Sequence, residues 1–485
     1  MHSTAEFTNY RLDEQIPGYK GDGMTFGRFM LIAVCMVAVI ALMVGVPLAA
    51  QDSTGPTAQS APAASSGTST PASSQEAYTL PPDTLAKAIA IGRIRNILNL
   101  TGSIWGIVFL WILLATRGWF GIEGWAWRVS SKRWVQGLVF FAIYLVVSAM
   151  ASFPLSWFGQ HFERAYGISV QGWGSWMGDQ GKSLGLRLLF VVPILMLFNW
   201  IVRRWPRRYW FGSWLVTLPT LVVVIFVTPL LEPIFNKFEP LQKNYPVLVT
   251  ELERVVARTG TDIPPDRMFL MKASLKTNGL NAYVNGIGAT KRIVVWDTTA
   301  GRVPNDEVLF IFGHESGHYV LNHVQQYLAI YSVGLFFVYW ACAGFATWMV
   351  KRFGASWGTS ELQSTDKDPS VGTPALASRT GFVVLLFAIS IVSFVLEPVG
   401  NAIGRHYEHQ ADVYGQEAIH GIVADPQKTA VAVWEDDGKS WLEDPHPNPL
   451  IEFWLYSHPS IEKRANFAAH YDPWKNGGHG EFFKN

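Results

Sequence analysis

Of 485 residues, 49% are hydrophobic and 15% charged, with a formal net charge of +1. In such a membrane-type composition length counts spans rather than soluble domains, and the near-neutral balance supplies no basic surface for phosphate, so nucleic acid is set aside as a partner. The two cysteines, Cys35 and Cys342, each sit in an apolar stretch as small hydrophobes, which argues against a disulfide framework or a cysteine nucleophile.

Seven apolar stretches approach or reach bilayer-spanning length, at 29–50, 97–116, 134–158, 184–202, 211–231, 327–350 and 380–399. The first follows a segment carrying Arg11, Lys20 and Arg28, and its 22 apolar residues exceed a usual signal core, so an uncleaved anchor is expected. Residues 51–75 are almost wholly Ser, Thr, Ala, Pro and Gly, a composition that cannot bury enough apolar surface to offset backbone ordering and reads as a linker.

Two segments are polar enough to fold in water: 232–326 and the tail from 400 onward. In the first, Leu248, Leu252, Val255 and Val256 share one helical face, and Gly260 stops that helix. Residues 268–271 and 292–296 are β-prone, and 281–284 before Asn285-Gly286 has the pattern of a hairpin arm. The expected division is an N-terminal segment with the first span at 1–50, a linker at 51–79 and spans two to five at 80–231. A polar domain at 232–326, spans six and seven at 327–400 and a returning part of that domain at 401–485 complete it.

The polar segment ends in His314-Glu315-Ser316-Gly317-His318. Residues four apart share a helix face, so His314 and His318 can offer two imidazoles to one Zn²⁺ while Glu315 stands beside the open coordination position. A catalytic zinc takes three protein ligands. A third histidine six residues beyond His318 is ruled out by Val324, and His323, nine residues from His314, falls on the opposite face of a continued helix, which leaves it at most a supporting role. The better candidate is Glu408, with Asp412 four residues on along the same face. Glu408 can bind the metal while Asp412 holds a ligand imidazole through its other nitrogen. His406 and His409 are rival ligands off that face. Two spans separate His318 from Glu408, and an even number of crossings returns Glu408 to the side it left.

These motifs carry a resemblance. The chain resembles the type I CAAX prenyl endopeptidases, seven-span membrane zinc proteases of the gluzincin class. The resemblance rests on the His314–His318 motif with Asn322-His323 after it, on Glu408-His409-Gln410-Ala411-Asp412 with Asn401 and Arg405 before it, on Pro233-Ile234-Phe235-Asn236-Lys237-Phe238, and on Ser457-His458-Pro459-Ser460. It covers about residues 80–470 and implies a mainly α integral membrane protein, seven transmembrane helices enclosing a chamber, with a gluzincin-like α+β zinc domain. It further implies one Zn²⁺ per chain held by His314, His318 and Glu408, with Glu315 as general base. His458 would donate to the oxyanion, Asn281 would hold substrate backbone at an edge strand, and Arg405 would position Asp412 or a substrate carboxylate. Gly404 stands where many members have Ser.

Short segments on one side of the spans hold 15 Lys and Arg against 6 on the other, which puts the N-terminus in the cytoplasm and the zinc domain outside it. With the long linker, this suggests a protein of the bacterial inner membrane acting on peptide or protein substrates, lipid-modified or membrane-associated, in contact with the bilayer. The competing readings are a quality-control metalloprotease without prenyl dependence and, from another class, a non-enzymatic seven-span transporter or receptor with a polar pathway.

Overall fold

The computed structural model describes residues 78, 80–286, 290–359, 376 and 378–484; the expected first span at 29–50 and the linker at 51–75 lie outside the described residues. The chain begins with α1 (Pro82–Ala115), α2 (Gly118–Val129), α3 (Arg133–Ala165), α4 (Trp173–Arg204) and α5 (Tyr209–Phe235). A region of short strands and helices follows: β1 (Phe238–Pro240), α6 (Pro246–Thr259), β2 (Met268–Met271), β3 (Ala282–Asn285), β4 (Arg292–Trp296) and α7 (Asn305–Val320). Two long helices come next, α8 (His323–Trp357) and α9 (Arg379–Ile419), and the tail forms α10 (Pro426–Trp441), α11 (Pro449–Leu455) and α12 (Ile461–His470).

Among the described residues six helices, α1, α3, α4, α5, α8 and α9, are long and apolar enough to cross a membrane. The expected second to seventh spans fall one on each. At 27 to 41 residues they exceed the roughly 20 that a bilayer core needs, so several project beyond it. Helix α5 leaves Leu215, Val223, Phe226 and Leu230 exposed, as a lipid-facing helix does.

The polar region matches its periodicity. Helix α6 buries Leu248, Val249, Leu252 and Val255, and Gly260 ends it at φ 66°, a left-handed conformation that costs glycine nothing. Strand order is β1-β2-β4-β3, with β2 and β4 parallel and the other pairs antiparallel. The expected hairpin arm is edge strand β3, which pairs Asn285 with Arg292.

Among the described residues the two larger apolar cores lie around the sheet, α6 and α7 and within the membrane bundle. Helices α1 and α9 join them: Ile91, Tyr414 and Ala418 pack in the first, Trp105, Phe382 and Val384 in the second. Helix α9 runs unbroken past residue 400, where hydropathy suggested a boundary, and carries Pro398 within it.

Candidate active site

Helix α7 carries His314, Glu315 and His318 and lies against the distal half of α9. Small residues permit that approach. A Cβ at Gly415 would come within 2.8 Å of the His314 backbone nitrogen, so any larger residue there would push the two helices apart.

The close crossing brings three donors together. His314 Nε2 lies 3.2 Å from His318 Nε2 and 3.4 Å from Glu408 Oε2, and His318 Nε2 lies 3.4 Å from Glu408 Oε1. Among the described residues these are the three metal-capable side chains whose ligand atoms converge, all within 4.8 Å. A tetrahedral Zn²⁺ with bonds of about 2.0–2.1 Å requires donors roughly 3.3–3.4 Å apart, so the spacing and the N, N, O donor set both fit.

Each imidazole is also oriented from behind. His314 Nδ1 lies 2.9 Å from Asp412 Oδ1. His318 Nδ1 lies 3.0 Å from His323 Nδ1, and His323 Nε2 lies 3.1 Å from Gln410 Oε1. With the Gln410 carbonyl accepting from His323 Nε2–H, His323 Nδ1 accepts from His318 Nδ1–H, and the His318 Nε2 lone pair faces Glu408. The sequence places His323 on the opposite face because it assumes one continuous helix. Helix α7 instead ends at Val320, and Asn322 at φ 59° reverses the chain so that His323 begins α8 beneath His318. His406 and His409 stay outside the cluster, His409 packing its ring on Phe467.

Arg405 does not hold Asp412. Its Nη1 donates to the carbonyls of Glu452 and Tyr456, securing the chain that leads to His458. Asp412 lies seven residues on, two turns or about 10.5 Å along the axis. Arg464 from α12 takes that place instead, donating to Asp412 through Nε at 2.9 Å and Nη2 at 2.6 Å while its guanidinium covers the Trp434 ring. Arg464 escapes motif reading because it lies six residues after His458, on another helix; the one signal is an Arg that packs inward among charged neighbours in 461–470.

Glu315 is half-buried beside edge strand β3 and accepts from the Val284 backbone N–H. Burial pushes its carboxyl above the ordinary range; Glu408 adds to this, and His314 opposes it. At His314 burial disfavours the charged ring, but Asp412 and Glu408 outweigh it and push the imidazole up to about 9. His318, buried next to His314, is pushed down to about 3.

His458 stands at the cleft with Nε2 3.3 Å from Glu408 Oε1, and Ser457 Oγ is 2.9 Å from its Nδ1. Gly404 explains how that loop comes so close, since a Cβ there would meet the Ser457 carbonyl at 2.9 Å. Asn281 precedes β3 with an exposed side chain lining the cleft. Its backbone is held by Thr299, whose Oγ1 accepts from Asn281 N–H and donates to Asn281 C=O, both at 2.8 Å. Together these residues border a cleft of about 470 Å³.

The profile described as "Peptidase family M48" matches residues 243–472, and that of the "CAAX prenyl protease N-terminal, five membrane helices" matches residues 64–237. A Bacillus subtilis (strain 168) protein named "Uncharacterized metalloprotease YhfN" is 30% identical over 390 residues, 80% of this chain and 86% of that one. The "CAAX prenyl protease 1" of Saccharomyces cerevisiae is 26% identical over 335 residues, 68% of this chain and 71% of its own. In fold, the crystal structure of S. mikatae Ste24p aligns with a TM-score of 0.65 at 19% identity, covering 91% of this chain and 98% of that one. With both profiles matched in order along the chain and a metalloprotease relative similar across four fifths of it, the chain belongs to peptidase family M48 and is a multi-pass membrane zinc metalloendopeptidase.

Proposed function

We propose that His314, His318 and Glu408 hold one Zn²⁺ per chain and that the cleft beside them cleaves peptide bonds of substrates arriving from the membrane. The observation that carries this is the convergence of His314 Nε2 and His318 Nε2, 3.2 Å apart, on the Glu408 carboxylate, with one of its oxygens 3.4 Å from each nitrogen and Glu315 next to them. Bound there, Zn²⁺ supplies Lewis acidity, bringing a water pKa towards about 7 and polarising the scissile carbonyl. Glu315 takes the water's proton and passes it to the leaving amine. Asp412 and His323 hold the two imidazoles in the tautomers that leave each Nε2 free. His458 donates to the oxyanion of the tetrahedral intermediate. Since Val284 N–H points away from β4 to Glu315, alternation along an antiparallel strand turns the Ala282 backbone the same way. That edge, with Asn281 at its start, pairs with extended substrate.

Seven spans, counting 29–50, enclose a chamber under a gluzincin-like α+β zinc domain. The protein sits in a bacterial cell membrane with that domain outside, as the Lys and Arg asymmetry favours. The relatives named CAAX prenyl proteases bring lipid-modified tails within the substrate class, beside plain peptides. The test is zinc stoichiometry of the purified protein together with cleavage of matched prenylated and plain peptides. One zinc per chain and cleavage of both is the expected result; a metal-free protein without peptidase activity rejects the proposal.

Two outcomes follow from the geometry. Replacing His458 by Ala should lower kcat by about 10²-fold or more with zinc content unchanged, the cost of removing one oxyanion donor. An unchanged kcat removes His458 from the mechanism. The second concerns pH. His314 must lose its proton to bind a cation, and with its imidazole pushed up to about 9 the proton competes at every pH below that. Apparent zinc affinity in chelator competition should therefore rise about tenfold per unit between pH 7 and 9. A flat profile contradicts the assigned ligand.

A further inference from the structure

Edge strand β3 is four residues long and pairs with β4 on one side only, so its outer edge is free of any neighbouring strand. What holds it extended is a set of side chains outside the metal site. Tyr283 and Asn285, two residues apart, point to the same face of the strand. Both donate to Glu232 in the last turn of α5, Tyr283 Oη at 3.0 Å and Asn285 Nδ2 at 2.8 Å. Arg292, opposite Asn285 on β4, completes the set: its Nε donates to Asn285 Oδ1 at 2.8 Å and its Nη2 to Glu232 Oε2 at 2.7 Å.

The end of α5 is built to receive that arginine. Pro233 has no N–H, so the Pro229 carbonyl one turn earlier lacks its helical donor, and Arg292 Nη2 supplies one at 3.1 Å. The guanidinium also lies 5.3 Å from the centre of the Phe238 ring on β1. The Glu232 and Arg292 side chains are only 20% and 19% exposed, which limits competition from water for these charge-assisted bonds. The metal-site side chains hang from α7 and α9, whereas this network joins α5, β3 and β4.

Resting on the reading of β3 as the strand that pairs with extended substrate, we infer that Glu232 and Arg292 are positioning residues for substrate binding, holding the outer edge of β3 extended before the peptide arrives. Ordering the strand in advance removes that cost from association. Loss of either residue therefore weakens capture of the peptide while the hydrolytic groups on α7 and α9 stay in place.

The test measures kcat and KM separately for the full-length zinc enzyme in detergent. The substrates are a cleaved peptide and the same peptide N-methylated at one backbone amide at a time, over three positions on either side of the cut bond. In the natural enzyme, N-methylation where an amide bonds to β3 should raise KM by about tenfold. Glu232→Gln keeps the size of the side chain but sets an N–H₂ where an acceptor is needed, and Arg292→Lys keeps the charge but cannot span Glu232, Asn285 and Pro229 with one ammonium. Each should raise KM for the plain peptide by about tenfold, with kcat within about threefold and zinc at one per chain. Each should also shrink the N-methylation penalty to about twofold or less, because a disordered edge no longer rewards the amide. An unchanged KM in both variants overturns the inference, as does a fall in kcat at constant KM. An N-methylation penalty that persists undiminished in the variants leaves strand pairing intact and rejects the positioning role. N-methylation without cost at any position in the natural enzyme rejects strand pairing itself, and the positioning role with it.

Discussion

Replacing Glu315 by Gln should leave zinc at one per chain and lower peptide turnover by about 10³-fold or more. Gln matches Glu in shape and can still accept from Val284 N–H, so strand β3 and the cleft stay in place. What is lost is the carboxylate that takes the water's proton and returns it to the leaving amine; general acid–base contributions alone are worth about 10²–10⁴-fold, and here one group serves both transfers. Bound metal by elemental analysis and kcat on the same preparation decide the matter. A zinc-replete Glu315→Gln enzyme with turnover within a few-fold of the natural one removes Glu315 from the chemistry.

Replacing Glu408 by Ala should abolish both the metal and the activity. Glu408 closes the donor triangle from α9, and its removal leaves two imidazoles on one helix, short of the three protein ligands of a catalytic zinc. The expected loss of zinc affinity exceeds the roughly 10–100-fold that follows when only an outer hydrogen-bond partner of a ligand is removed. The variant should still fold, because the Asp412–Arg464 pair that joins α9 to α12 remains. Retention of one zinc at chelator concentrations that strip no more from the natural protein means that another residue is the third ligand.

Much of the fold was readable because hydrophobic pattern is local. Apolar runs mark the six described membrane-capable helices, and the stripe Leu248, Leu252, Val255 marks α6. The neighbourhood of the metal-ligand cluster was less so. His323 keeps the supporting role the sequence leaves it but lies beneath His318 rather than on the opposite face, because one left-handed residue, Asn322, redirects the chain, and no periodicity reveals a single dihedral angle. Arg405 and Arg464 exchanged places for a similar reason: sequence proximity to Asp412 favoured the first, while the packing of α12 against α9 supplies the second. Glu232, one residue before the Pro233–Phe238 motif, was also passed over. It accepts from Tyr283, Asn285 and Arg292 and ties edge strand β3 to the end of α5.

By itself the sequence determined the chemistry on offer. Two imidazoles and a carboxylate at helical spacing, and a chain that returns Glu408 to the same side, depend only on the 3.6-residue turn and on the parity of crossings. Only the tertiary structure decided which groups meet. The approach of α7 to α9 at Gly415, the fold-back of His323 and the Arg464 clamp join residues 5 to 101 positions apart. Contacts of that range are set by how helices pack, which depends on shape complementarity across the whole core rather than on any pattern within one segment.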